Sequence, residues 1–309
     1  MPPPAAETHA TRTGRARGIE RRARDLAAAL PPLMVAAERV AQTVAQGVHG
    51  RRRVGRGDSF WQFRPYAPGD SAHRVDWRQS AKRDRLFIRE REWEAAESVW
   101  LWRDASPSMA YGTVAGQDTK RGRADLLVLA LAWLLARAGE RIAPLDGAAR
   151  PLTGRLAVSR LAETLAGQAR SGAPAPSLPA AVPLPRHARV VLIGDFLGPL
   201  DETDACIAGF AERGIDGHLL QVLDPAEESL PFAGRARYEG LEGEGDLVVG
   251  RTESLRDAYV ARLAAHRAGL QSIARAAGWT FALHHTDQAP QTALLALYGA
   301  IGQIPEPLA

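Results

Sequence analysis

The chain has 309 residues, 46% hydrophobic and 24% charged, with a formal net charge of +4. That length holds one large α/β domain plus a smaller module, and the single cysteine, Cys206, excludes an internal disulfide and fits a reducing compartment. The opening residues lack the apolar core of a secretory signal, and the most apolar run, 124–136, contains Asp125 and falls short of the roughly 20 residues that span a bilayer. A membrane role is therefore set aside and the cytoplasm is the expected location.

The basic residues are nearly all arginine, with lysine only at Lys82 and Lys120. Arginine suits phosphate, so nucleic acid has to be weighed. The arginines are spread along an alanine-rich chain and balanced by 35 acids, however, with no basic stripe interleaved with aromatics, which disfavours nucleic acid as a partner.

In chain order, the Pro-, Thr- and Arg-rich start reads as disordered up to about residue 15. A charged helix is expected over Ile19 to Leu30 and a second over Leu33 to Val48. Residues 51–95 mix Gly and Pro with Phe60, Trp61, Phe63, Tyr66 and Trp77, a pattern of turns and short strands. Within them, Leu86 to Trp93 alternates like an exposed or edge strand. The expected division is an arm of 1–24, a helix plus small β-rich module over 25–96, and an α/β domain over 97–309.

From Ser98 onward strands alternate with helices. Strands are expected at Ser98 to Arg103, Arg141 to Leu145 (pairing with 150–152), Arg189 to Ile193, His218 to Leu223 and Thr280 to His284, with a hairpin over Arg235 to Val249. Helices are expected at Arg123 to Ala138, Leu156 to Ala169, Glu202 to Arg213, Glu253 to Ala277 and Thr292 to Ile301, and a loop over 171–186. Such alternation predicts a mostly parallel sheet with helices on both faces. The strands containing Val99 and Val190 are apolar without alternation, so they should be neighbours near its centre.

Sites in open α/β sheets lie at the carboxyl ends of strands. The first strand of this region runs into Asp104-Ala105-Ser106-Pro107-Ser108-Met109, putting a carboxylate and two hydroxyls on one tight loop. The Val190 strand ends in Gly194-Asp195 at the same edge if both are parallel. These hard oxygens suit magnesium or manganese, with water completing the shell. The bland alternative is a loop whose Asp and Ser side chains bond their own backbone.

Asp104-x-Ser106-x-Ser108-Met109 after an apolar strand resembles the metal-ion-dependent adhesion site of von Willebrand factor A domains, and Asp195 is similar to that site's downstream Asp. The stretch Phe63-Arg64-Pro65-Tyr66-Ala67-Pro68-Gly69-Asp70, then Arg74-Val75-Asp76-Trp77-Arg78-Gln79-Ser80-Ala81, then Arg89-Glu90 and Glu94, resembles the bacterial family called domain of unknown function 58. The resemblance implies a von Willebrand factor A-like fold. It also implies association with a MoxR-type AAA+ ATPase in assembling or activating client proteins, with no family-wide catalytic activity. The adhesion site normally takes a threonine from a middle loop. Here that loop offers Ser171 and Ser177, and Ser177 is taken as the hydroxyl.

Within 60–94, Asp70 and Asp76 flank Arg74, and the aromatics could fill a small core. His284-His285 reads as a polar strand end, Cys206 as a core residue, and Asp224 and Asp146 as strand-closing residues. Three functions compete. A metal-dependent protein-binding module needs only an open coordination position for an acidic partner. A metal-assisted hydrolase, phosphatase-like, would need a base beside the loop, and Asp104-Ala105-Ser106 lacks the second Asp of an aspartyl-phosphate loop. Nucleic-acid binding ranks last. The expectation is a binder and not an enzyme.

Overall fold

A computed structural model describes residues 35–45, 61–65, 80, 86–91, 98–113, 119–146, 149–171, 175–185, 188–242 and 245–301. The chain divides into two compact units, one within 48–97 and the other within 1–47 and 98–309. In the first, β1 (Trp61–Pro65) pairs antiparallel with β2 (Phe87–Arg91), Trp61 opposite Arg91 and Pro65 opposite Phe87. The strand expected at Leu86 to Trp93 is thus present. The helix expected at Ile19 to Leu30, the disordered start and the signature residues Tyr66, Asp70, Arg74, Asp76 and Trp77 lie outside the described residues.

In the second unit, helix α1 (35–45) buries Ala37, Val40, Ala41 and Val44, the 3–4 residue spacing of one helical stripe. Six strands then build one sheet: β3 (Ser98–Arg103), β4 (Arg141–Pro144), β5 (Leu152–Thr153), β6 (Arg189–Gly194), β7 (Asp216–Leu223) and β10 (Thr280–His285). Their order is β10-β7-β6-β3-β4-β5, parallel except for β5, which runs antiparallel to β4. The central strands β3 and β6 are buried at every position and hydrogen-bond to each other, as their unbroken apolar runs predict. The remaining strands, β8 (Ala236–Glu239) and β9 (Asp246–Val249), form the separate hairpin expected around 235–249.

Helices cover both faces. Helix α2 (Lys120–Ala138) is buried almost throughout and packs on β3, β4, β6 and β7. Helix α3 (Gly154–Ser171) lies against α2. Helices α4 (Leu200–Ala211) and α6 (Arg256–Ala276) pack together on the opposite face. There Ile207, Phe210, Leu270 and Ala274 meet Trp100, Trp102, Val190, Leu192 and Leu219 in one core. Helix α7 (Pro290–Ile301) returns to pack on α2, β7 and β10. Together these make a mixed α/β, Rossmann-like fold. No helix among the described residues is long and apolar enough to cross a membrane.

Two local differences from the sequence expectation bear on the site. Helix α2 begins at Lys120 and not Arg123, because the Thr119 side chain caps it by accepting from the Gly122 amide at 3.2 Å. A short helix, α5 (Pro225–Ser229), follows β7 where Asp224 was read only as closing the strand. Asp224 and Glu227 form its capping box, and Pro225 opens it with its fixed φ.

Candidate functional site

The carboxyl ends of β3 and β6 lie side by side, and each delivers an aspartate. Asp104 continues the ladder, its amide donating to the Ile193 carbonyl at 2.8 Å. Its Oδ1 accepts from the Ser106 amide at 2.8 Å, which folds the loop back on itself. Its Oδ2 is buried with no hydrogen-bond donor among the described residues. The loop then tightens into a single 3-10 turn, Pro107–Ala110, anchored by the fully buried Met109.

The two hydroxyls join this turn to the second aspartate. Ser108 Oγ donates to Asp195 Oδ2 at 2.7 Å and lies 3.0 Å from Ser106 Oγ, which supplies the proton of that contact because Ser108 has used its own. Asp195 is held in turn: its carbonyl accepts from Gln221 Nε2 at 2.8 Å. The next residue, Phe196, has φ 49°, a left-handed backbone that a bulky residue rarely adopts. Its buried ring and the contact of its carbonyl with His266 Nε2, at 2.7 Å, hold that conformation in place. Gly194 fits tightly behind the loop, where a Cβ would come within 2.8 Å of Asp104 Cβ.

Sequence reading missed a third participant. Lys120, at the first position of α2, is fully buried, and its ammonium contacts Asp195 Oδ2 at 2.8 Å and Glu227 Oε1 at 2.5 Å. It also lies 5.9 Å from the centre of the Tyr111 ring. The neighbouring Arg121 clamps the loop, Nη2 donating to the Ala105 and Ser106 carbonyls at 2.9 Å each. Asp224 caps α5 and accepts from the Thr113 amide at 2.9 Å and from the Thr113 hydroxyl. The Asp224-Pro225-Ala226-Glu227 box was the available sequence signal for Glu227.

Electrostatics follow from burial. Desolvation, then the nearby Asp195 charge, push the Asp104 carboxyl up to about 7, against the opposing Ser106 hydrogen bonds. For Lys120, burial disfavours the charge, but Asp195 and Glu227 outweigh it and hold the ammonium above its ordinary value. Burial, followed by Asp224, pushes Tyr111 up to about 12. The pocket thus sets the carboxylates of Asp104, Asp195 and Glu227 against the one ammonium of Lys120.

The expected residues Asp104, Ser106, Ser108 and Asp195 meet at this edge. Ser177 does not join them through any hydrogen bond among the described residues; its Oγ lies 4.0 Å from where a Cβ on Gly198 would stand, beside the loop after β6. Among the described residues, no three or more His, Cys, Asp or Glu side chains form a cation-holding group. Any cation here would therefore rely on hydroxyls and water beside the carboxylates. His284 is buried and its Nε2 lies 3.3 Å from Arg123 Nη1, while His285 Nε2 lies 3.2 Å from Glu228 Oε2. Cys206 packs against the core of the α4–α6 face, and burial pushes its thiol up to about 11.

The family model described as Protein of unknown function DUF58 matches residues 62–269, more than half of the chain. The chain belongs to that family. It is 28% identical over 282 residues to uncharacterized proteins of Mycobacterium bovis and Mycobacterium tuberculosis, covering 85% of this chain and 86% of each relative. Among solved structures it is similar to a conserved hypothetical protein BatB from Bacteroides thetaiotaomicron, with TM-score 0.36 and 17% identity over 66% of this chain and 97% of the other. It is also similar to an aerotolerance-related membrane protein from Bacteroides fragilis, with TM-score 0.37 and 16% identity over 67% of this chain and 100% of that one.

Proposed function

We propose that this DUF58 chain is a von Willebrand factor A-like, metal-dependent protein-binding module that works with a MoxR-type AAA+ ATPase on client proteins. The observation that carries this reading is the buried Asp104 Oδ2, which has no donor among the described residues and lies beside the Ser106–Ser108–Asp195 chain. A buried carboxylate oxygen without a partner is costly, and two hydroxyls next to it make a hard-oxygen set that fits magnesium or manganese. A cation held there would offer an open position to an anionic oxygen of the partner. Asp104, Ser106, Ser108 and Asp195 would hold the ion, directly or through water, and Arg121 would keep the loop closed.

Binding is favoured over hydrolysis by the state of Lys120. Its nitrogen is ion-paired to Asp195 and Glu227 and so offers no lone pair as a general base. The chain would act in the cytoplasm, where an ATP-driven partner works, and its net charge of +4 would speed encounter with an acidic client.

The test is a pull-down of a MoxR-type AAA+ ATPase and of client proteins by wild type and Asp104→Ala, each with and without chelator. Capture by wild type should fall with chelator and be weak in the variant under both conditions. Equal capture in all four arms would exclude the metal face as the interface. Hydrolysis of phosphate esters by the purified protein, lost in Asp104→Ala, would replace this reading with an enzymatic one.

A further inference from the structure

The metal reading leaves Lys120 without a role. Its ammonium is fully buried, and it touches Asp195 Oδ2, the oxygen that also accepts the Ser108 hydroxyl. One carboxylate oxygen is therefore shared between the loop that would hold a cation and a positive charge the chain already carries. Glu227 gives that charge a second anchor on α5, on an element distinct from either aspartate. Across the loop, Asp104 Oδ2 stays buried with no donor among the described residues. The ammonium is shared between Asp195 and Glu227 and does not reach Asp104.

We propose that Lys120 is a tethered counter-cation that competes with a divalent ion for this pocket, so that its charge keeps ion binding by the wild-type chain weak. The proposal rests on the metal reading above and adds its regulation. Two cations sharing one buried carboxylate repel strongly, because little water screens them. Occupancy would need Lys120 to lean on Glu227 and release Asp195, and the geometry supplies that second partner in advance. Any contact that drew Lys120 toward α5 would then strengthen ion binding at the loop.

The test is calorimetric titration of MnCl2 or MgCl2 into the full chain. The variants are Lys120→Met, Lys120→Arg, Asp104→Ala and the charge-balanced pair Lys120→Met with Glu227→Gln. Removing the ammonium, alone or in the balanced pair, should tighten Mn2+ binding by about tenfold or more, while Lys120→Arg stays near wild type. Suppose wild type binds and Asp104→Ala does not, yet neither Lys120→Met variant binds more tightly. Competition is then overturned, and the metal site itself stands. Absence of binding in every protein would overturn both. Should Lys120→Met fail to fold alone, folding that appears only with Mn2+ supports the exchange of one cation for another. Failure to fold with or without Mn2+, in the balanced pair as well, overturns it.

Discussion

At Asp104 one carboxylate oxygen is bonded to the Ser106 amide and the other is buried without a donor among the described residues, facing the charge of Asp195. Asp104→Asn keeps the first bond and removes the charge. It should raise the melting temperature of the metal-free protein at pH 8 by about 2–4 °C, equivalent to about 1 kcal/mol, while abolishing Mn2+ binding in calorimetry. An unchanged or lower melting temperature would mean that the charge is compensated by a group not described above. Behind it, Gly194→Ala should destabilise by roughly 1–3 kcal/mol in urea unfolding, because the new Cβ would stand 2.8 Å from Asp104 Cβ. Asp104, Ser106, Ser108 and Asp195 were legible in the sequence because strand ends and alternate spacing bring such residues together. Lys120 was not: it fell before the helix expected from Arg123, and only the fold shows it enclosed by Asp195 and Glu227. Ser177 was chosen by analogy, with no local pattern behind it, and it forms no hydrogen bond with the other four.

At the scale of elements, the neighbouring strands β7 and β10, at the β10 side of the sheet, carry an acid-sensitive pair. Burial, reinforced by Arg189, lowers His218 to about 4, and burial with Arg123 does the same for His284. Both folded values lie below the ordinary 6.5, so the unfolded chain takes up the protons first. The stability these neutral rings carry is full above pH 6.5 and is lost as pH falls toward 4. From pH 7.5 to 5, each histidine should cost roughly 2 kcal/mol. Urea midpoints for wild type and the His218→Gln, His284→Gln double variant should therefore converge as pH drops; parallel declines would discount the histidines. Next to this edge, Trp279 covers Gly217, where a Cβ would come within 2.3 Å of the indole. Gly217→Ala should cost roughly 2–3 kcal/mol. The central strands and the Lys120 helix were readable because each is a sustained apolar run. Helix α5 was not, since five residues are too few for periodicity and only its capping box marks it.

At the scale of the molecule, the last helix closes the fold. Helix α7 buries Ala293, Leu294, Leu297 and Ile301, and the Ile301 carbonyl accepts from Arg189 at the start of central strand β6. Deleting 290–309 removes those side chains and uncovers the parts of α2, β7 and β10 on which they pack, a loss of order 6 kcal/mol, comparable to the roughly 5–15 kcal/mol that holds a domain together. The truncated chain should show no cooperative melt by circular dichroism; a melt like that of the full chain would make α7 dispensable. The parallel order with β3 and β6 at its centre was legible as a whole, because chains buried on both faces cannot alternate. The pocket is stitched from distant stretches: Ser108 to Asp195 spans 87 positions, Lys120 to Glu227 107 and Thr113 to Asp224 111. During synthesis, which proceeds from the amino end, the Asp104 loop leaves the ribosome long before Asp195 and Glu227 do. A nascent chain therefore cannot display the assembled pocket until β6, β7 and α5 have emerged, and a partner that recognises it would meet only chains translated past that point.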